Sequence, residues 1–257
     1  MQEQIITLYC VCTDFLKEYG YHDDPQAHMS TAEVMTTVLV AATFFVGNQE
    51  HSRIFLQVHG YIPKMLSKSR LNRRLHRLPD TLWEALWHLL AEIAKHHNPD
   101  GEYIVDSCPV PVCDNIRISR CKLYQEEAFR GRVASKRRYI YGLKVHLVVT
   151  ASGQPVEIML APASMADIRA FRCLPLDLPE GSEVYAEAAY TDYPYEDDLR
   201  AHADLTLSAA RKRNSKRPVP GWEAYVCQHV RKRGGNDVQS AQQAFCQVHP
   251  CGDAAWV

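Results

Sequence analysis

No run of about 18 consecutive apolar residues occurs in the 257-residue chain, so no membrane span is indicated. The apolar stretch from Thr37 to Val46 is too short and lies inside a helical pattern. The opening Met-Gln-Glu-Gln lacks the basic region of a signal peptide. Regular cysteine spacing is also missing. There are nine cysteines, an odd number, and Cys108 and Cys113 are separated by Pro-Val-Pro-Val, which is not a zinc-knuckle spacing. They read as reduced, small buried hydrophobes, and a cytoplasmic, nucleoid-associated protein is expected. Strong net charge is absent too. With 29 basic and 30 acidic residues the formal net charge is −1, so the chain as a whole is no polycation.

The charge that is present is clustered. Lys68, Arg70, Arg73, Arg74 and Arg77 form one basic group, and Arg130, Arg132, Lys136, Arg137 and Arg138 a second. Arg211, Lys212, Arg213, Lys216 and Arg217 form a third, and Arg231, Lys232 and Arg233 a fourth. One such run is usually a solvated face. Four of them, separated by acidic stretches, point to local anion sites, with nucleic acid as the partner.

Residues 1–100 read as helical. An amphipathic segment runs from Ile5 to Tyr19, and Asp23-Asp24-Pro25 breaks it. Ser30-Thr31-Ala32-Glu33 is a capping box that opens a long apolar helix. A shorter segment follows from His51 to His59. Ser67 to Leu78 is a basic helix, and Leu82 to Ile93 repeats Leu, Trp and Ile at helical spacing. This order is compatible with a helical DNA-binding region, and equally with a plain bundle whose outer face is basic. Asn98-Pro-Asp-Gly101 is a turn and the expected domain boundary.

Beyond it the period changes. Glu102 to Val105 is a short apolar strand that delivers Asp106, and Pro109 and Pro111 should end regular pairing just past that acid. Tyr139 to Thr150 alternates as a strand, Ala151-Ser-Gly-Gln154 turns, and Pro155 to Leu160 returns. A short helical piece follows from Asp167, then a strand that delivers Glu187, a helix from about Tyr190, and a last strand, Leu205 to Ala209. The expected fold class is α+β: a helical N-terminal region, then a mixed sheet flanked by helices. Two strands ending in acids, Asp106 and Glu187, make a site suited to hard divalent cations, which prefer oxygen ligands. Two such metals could serve phosphodiester chemistry, normally with a third carboxylate from a later helix.

Several ordered motifs carry a resemblance. They are Asp106-Ser-Cys-Pro-Val-Pro-Val-Cys, Tyr141-Gly-Leu-Lys-Val-His146, Pro162-Ala-Ser-Met-Ala-Asp167, Tyr185-Ala-Glu-Ala-Ala-Tyr190 and Arg213-Asn-Ser-Lys216. Together they resemble bacterial insertion-sequence transposases of the DDE type, specifically the insertion sequence 982 family, over about Met29 to Arg233. The resemblance implies an RNase H-like mixed-sheet core over residues 101–233. It implies Mg²⁺ or Mn²⁺ as cofactor, and cutting and joining of double-stranded DNA at the terminal repeats by a homo-oligomer. Asp106 matches the first catalytic acid and Glu187 stands at the second, both as metal ligands. Arg70, Arg73, Arg74, Arg130, Arg137, Arg138, Lys144, Arg213, Lys216, Arg231, Lys232 and Arg233 are the expected DNA contacts.

Two departures bear on activity. Where such transposases have Asp followed by Lys-Gly-Tyr, this chain has Glu187-Ala-Ala-Tyr190. The family also places its third acid on a helix, in a motif like Arg-Lys-Arg-Val-Glu-Thr, whereas Arg231-Lys-Arg233 is followed here by Gly234-Gly235. Residues 234–257 can be back-translated with permitted codons and read one base later as Val-Glu-Thr-Thr-Phe-Ser-Gln-Leu, continuing in family-like fashion. A single-base slip after codon 233 is therefore expected, with 234–257 a frameshifted tail and the chain catalytically impaired. The alternative is a non-enzymatic DNA-binding remnant that occupies transposon ends.

Overall fold

The computed structural model describes residues 1–133 and 138–232. Contacts divide the chain into two compact units, Met1–Trp87 and His88 onward. Arg137, Arg233 and the tail 234–257 lie outside the described residues. Among the described residues no single helix is long and apolar enough to cross a membrane.

The first unit packs helices α1 (Gln2–Glu18), α2 (Thr31–Phe44), α3 (Gln49–Val58) and α4 (Lys68–Leu75). The capping box forms as its residue types dictate. Ser30 Oγ accepts the Glu33 N–H at 3.2 Å, and the Ser30 N–H donates to Glu33 Oε2 at 2.7 Å. Ile5, Phe15, Val34, Leu56, Leu71 and Leu82 are among the buried residues of its core. Helix α5 (Asp80–His96) contains the division between the units.

The second unit is built on one mixed sheet. Its strands are β1 (Glu102–Asp114), β2 (Arg130–Val133), β3 (Arg138–Thr150), β4 (Pro155–Pro162), β5 (Glu183–Ala186) and β6 (Thr206–Ala209). The order is β2-β3-β1-β5-β6, with β4 also paired to β3. β1, β3 and β4 are antiparallel neighbours, whereas β1, β5 and β6 run parallel. Helices α6 (Asp167–Phe171) and α7 (Tyr193–His202) lie between these strands in sequence, and α8 (221–232) follows them.

Both faces of the sheet are covered. Tyr103, Val105, Val148 and Val184 pack with Phe171 of α6 and Leu199 of α7. On the opposite face Ile104, Val145, Leu147 and Tyr185 pack with Cys227 and Val230 of α8. Side chains of alternate parity on β1 therefore enter different cores, as a two-sided sheet requires.

One expectation is corrected. β1 does not end just past Asp106; it pairs with β3 as far as Asp114, with an irregularity between Pro111 and Cys113. The reason is where the neighbouring strand stops. β5 pairs with β1 only through Glu102, Tyr103 and Ile104. The Gly101 carbonyl accepts from Glu183 at the head of β5, and the Glu102 carbonyl accepts from Ala151 just past β3. By alternation the N–H of an odd-numbered β1 residue points away from β3. Pro109 and Pro111 are both odd, so neither removes a bond from the β1–β3 ladder. Gly142 faces this same stretch, where an added Cβ would stand 2.3 Å from the Val110 carbonyl oxygen.

Candidate functional site

Asp106 and Glu187 come together because the parallel pairing of β1 with β5 stops just before both acids. Ile104 is paired with Tyr185, and each acid lies two residues further along the chain. Past Ile104 the Ser107 N–H no longer has β5 beside it, and it donates instead to Asp106 Oδ1 at 2.7 Å. The Asp106 carboxylate thus closes the strand edge that carries it. Burial pushes its pKa up, and the nearby charge of Glu187 adds to this, while the Ser107 N–H and Arg231 oppose it.

A third acid stands at the same site, and it is one the sequence reading quoted in a motif without giving it a role. Asp167 opens α6. Its Oδ1 accepts from Ser107 Oγ at 3.0 Å and from Lys144 Nζ at 2.9 Å. Lys144 also donates to the Met165 carbonyl at 3.1 Å. The signal lay in the hairpin: β4 returns antiparallel to β3 and carries the chain back beside Lys144.

Arg231 of α8 completes the group. Its guanidinium donates to Glu187 Oε1. The structure therefore brings Asp106, Glu187, Lys144 and Arg231 to one place, with Asp167, Ser107 and Tyr190 beside them. Among the described residues no group of three His, Cys, Asp or Glu side chains is arranged to hold a metal ion. The carboxylates present do not fit a two-metal centre, because Asp167 is matched by Lys144 and Glu187 by Arg231.

His146 sits under the site, fully buried, with Nδ1 3.4 Å from the Tyr190 hydroxyl. Burial lowers its pKa from 6.5 to about 4, against the pull of Asp167 and with the help of Lys144. A histidine whose folded pKa is depressed contributes stability above its unfolded value, and that contribution is lost as pH falls toward the folded one. Asp106 and Glu157 have raised carboxyl pKa values and act in the opposite sense. Comparison of the unaltered chain with His146→Gln between pH 6.5 and 5 therefore isolates the His146 contribution. Stability is expected to drop there by about 2 kcal/mol. Urea unfolding at the two pH values checks this, and a His146→Gln chain that shows the same drop would refute the assignment.

The remaining basic residues are dispersed. In the first unit Leu66, Arg70, Arg73, Arg74 and Arg77 line a cleft of about 250 Å³. Arg74 is anchored, donating to Asp23 Oδ1 at 2.6 Å and to Thr31 Oγ1 at 3.2 Å. In the second unit Arg130 stacks over Tyr139 at 4.6 Å, and Arg138 lies 3.4 Å from Asp114. Arg213, Lys216 and Lys232 are exposed. Two members of the third cluster are bound to acids of α7: Arg211 grips Glu196 with two bonds of 2.6–2.7 Å, and Arg217 grips Asp197 with two of 2.7–2.8 Å.

The family model described as a transposase DDE domain matches residues 96–233, just over half of the chain. No curated protein and no solved structure matches.

Proposed function

Given that the chain belongs to the DDE-domain transposases, we propose that it is an insertion-sequence transposase of the 982 type. We further propose that its catalytic centre is incomplete, leaving it able to hold element-end DNA but impaired in cutting and joining it. The observation that carries this reading is Asp106 and Glu187 brought together where the parallel pairing of β1 and β5 stops, with Glu187 and the neighbouring Asp167 each ion-paired and no metal-holding group of three among the described residues. The sheet order supports an RNase H-like core: three antiparallel strands continued by two parallel ones, with helices on both faces. DDE transposase domains generally use divalent metals, so Mg²⁺ or Mn²⁺ is the cofactor of an intact version.

DNA would be held through the basic side chains. Arg70, Arg73 and Arg77 share one cleft, and Arg74 fastens their helix to the rest of its unit. Arginine matches phosphate with two parallel bonds and positions a backbone without reading sequence. Double-stranded DNA at the terminal repeats and a homo-oligomer on that DNA complete the proposal.

The test is a gel shift with DNA carrying the ends of the element, run in EDTA and again in Mg²⁺. Binding that is salt-sensitive and metal-independent, with no nicking by the unaltered chain in Mg²⁺, is the expected result. Replacing Arg70, Arg73 and Arg77 together with Gln is expected to weaken binding about tenfold or more and to lower the salt slope by roughly 3. Efficient Mg²⁺-dependent cleavage by the unaltered chain would overturn the claim of impairment. Failure to bind end DNA at low salt would overturn the claim of binding.

A further inference from the structure

We propose that Arg231 is a resident counter-ion of the carboxylate site, a side chain that holds Glu187 closed to metal until it is displaced. The inference rests on the transposase reading above and concerns the regulation of that same site.

The placement is specific. Arg231 is about one-fifth exposed at its side chain, while Glu187 is 57% exposed. The cation is thus the better-fixed partner. Its helix is docked on the sheet by Cys227 and Val230, which share a core with Ile104 and Tyr185. Those two residues lie directly upstream of Asp106 and Glu187 on β1 and β5. Cys227 is one turn before Arg231 on the same helix face, and its Sγ lies 3.3 Å from the Ser208 carbonyl of β6. The same packing that seats α8 therefore aims Arg231 at the end of β5.

The chemistry of the group sharpens the effect. A guanidinium does not lose its proton at any pH a protein tolerates, so acidification or mild base cannot lift it off Glu187. A divalent cation seeking Glu187 must compete with it directly. Lys144 does the corresponding work on Asp167. Of the three acids at the site only Asp106 has no direct ion pair among the described residues, although the charge of Arg231 reaches it as well. The molecule thus supplies its own positive charge to two of the three carboxylates at the site.

Metal binding, not catalysis, tests this. Mn²⁺ affinity is read by electron paramagnetic resonance for the unaltered chain, Arg231→Gln, Arg231→Met and Arg231→Gln/Glu187→Gln. Both single changes are expected to tighten Mn²⁺ binding about fivefold, and the double change to cancel that gain. Arg231→Met keeps an apolar stem against the sheet, so it serves if the Gln variant folds poorly. In the unaltered chain, saturating Mg²⁺ is expected to move the Arg231 Nε–H resonance toward its solvent-exposed position. Unchanged Mn²⁺ affinity in the single variants that fold overturns the proposal, as does an Arg231 signal that stays in place while metal binds. Neither readout involves nicking, so such a failure leaves the transposase reading standing.

Discussion

Joining the downstream reading frame to codon 233, together with Glu187→Asp, is expected to raise Mg²⁺-dependent nicking of element-end DNA by roughly 10³-fold or more over the unaltered chain. Residues of a catalytic unit act together, so neither change alone should recover much of this. Glu187 carries its carboxylate about 1.5 Å further than an Asp would, against a tolerance of about 0.5 Å for catalytic groups. The frame change would supply the third acid that the proposal holds to be missing. α8 runs through residue 232 with Arg231 directed at Glu187. The glutamate of the shifted frame would fall two residues after Arg233, which is four after Arg231. On a continued helix that is one turn further along the same face, about 6 Å away. Gly234-Gly235 disfavours such a continuation by about 1 kcal/mol per glycine, and a shifted frame that reads Val-Glu would replace both. A supercoiled-plasmid nicking assay reads the outcome, with Asp106→Asn in the repaired chain as background. A repaired chain that stays at that background would sink both the frameshift and the assignment of Asp106.

Lys95→Met is expected to cost about 3–5 kcal/mol of folding stability, seen as a melting temperature lower by roughly 10 °C. Lys95 is 8% exposed and faces three carboxylates: Glu92 at 2.8 Å, Glu157 at 3.4 Å and Asp177 at 3.5 Å. Burial works against its charge, and the hydrogen bond to Glu92 with the three negative charges overcomes this, so its pKa rises. Glu157 is the vulnerable partner, since it is only 6% exposed and burial already pushes its carboxyl pKa up. Removing Lys95 leaves that acid buried without its cation. The loss should shrink as pH falls, because the stranded acid can then take up a proton. Adding Glu157→Leu should recover most of the stability, since an apolar pair of similar volume avoids the desolvation cost. Calorimetry of the single and double variants decides. A fall of less than about 3 °C for Lys95→Met would show that the pair contributes little.

What could be read from the sequence was local. Ser30 and Glu33 announce their helix because the capping bonds span three residues. Gly153, at φ 83°, turns the β3–β4 hairpin where Ala151-Ser-Gly-Gln154 placed it. Asp106 and Glu187 were visible as acids that follow short apolar runs, although β1 continues past Asp106. The rest depended on contacts remote in the chain. Asp167 reaches Ser107 across 60 residues, by way of a hairpin whose register no short motif encodes. Arg211 and Arg217 looked like part of an anion site and are instead committed to Glu196 and Asp197 of α7. α8 left little trace because its buried residues, Cys227 and Val230, are few among exposed neighbours.

The two prolines of β1 also bear on self-association. Past Ile104, β1 continues without β5 beside it, and a strand edge that offers open donors is a template on which a second molecule can add a strand. Such addition needs N–H donors at alternate positions. On this edge positions 109 and 111 have none to offer, and the donor at 107 is already spent on Asp106. The segment that shapes the acidic site therefore also guards it against fibril-like growth, and replacing the prolines would expose a hazard unrelated to catalysis.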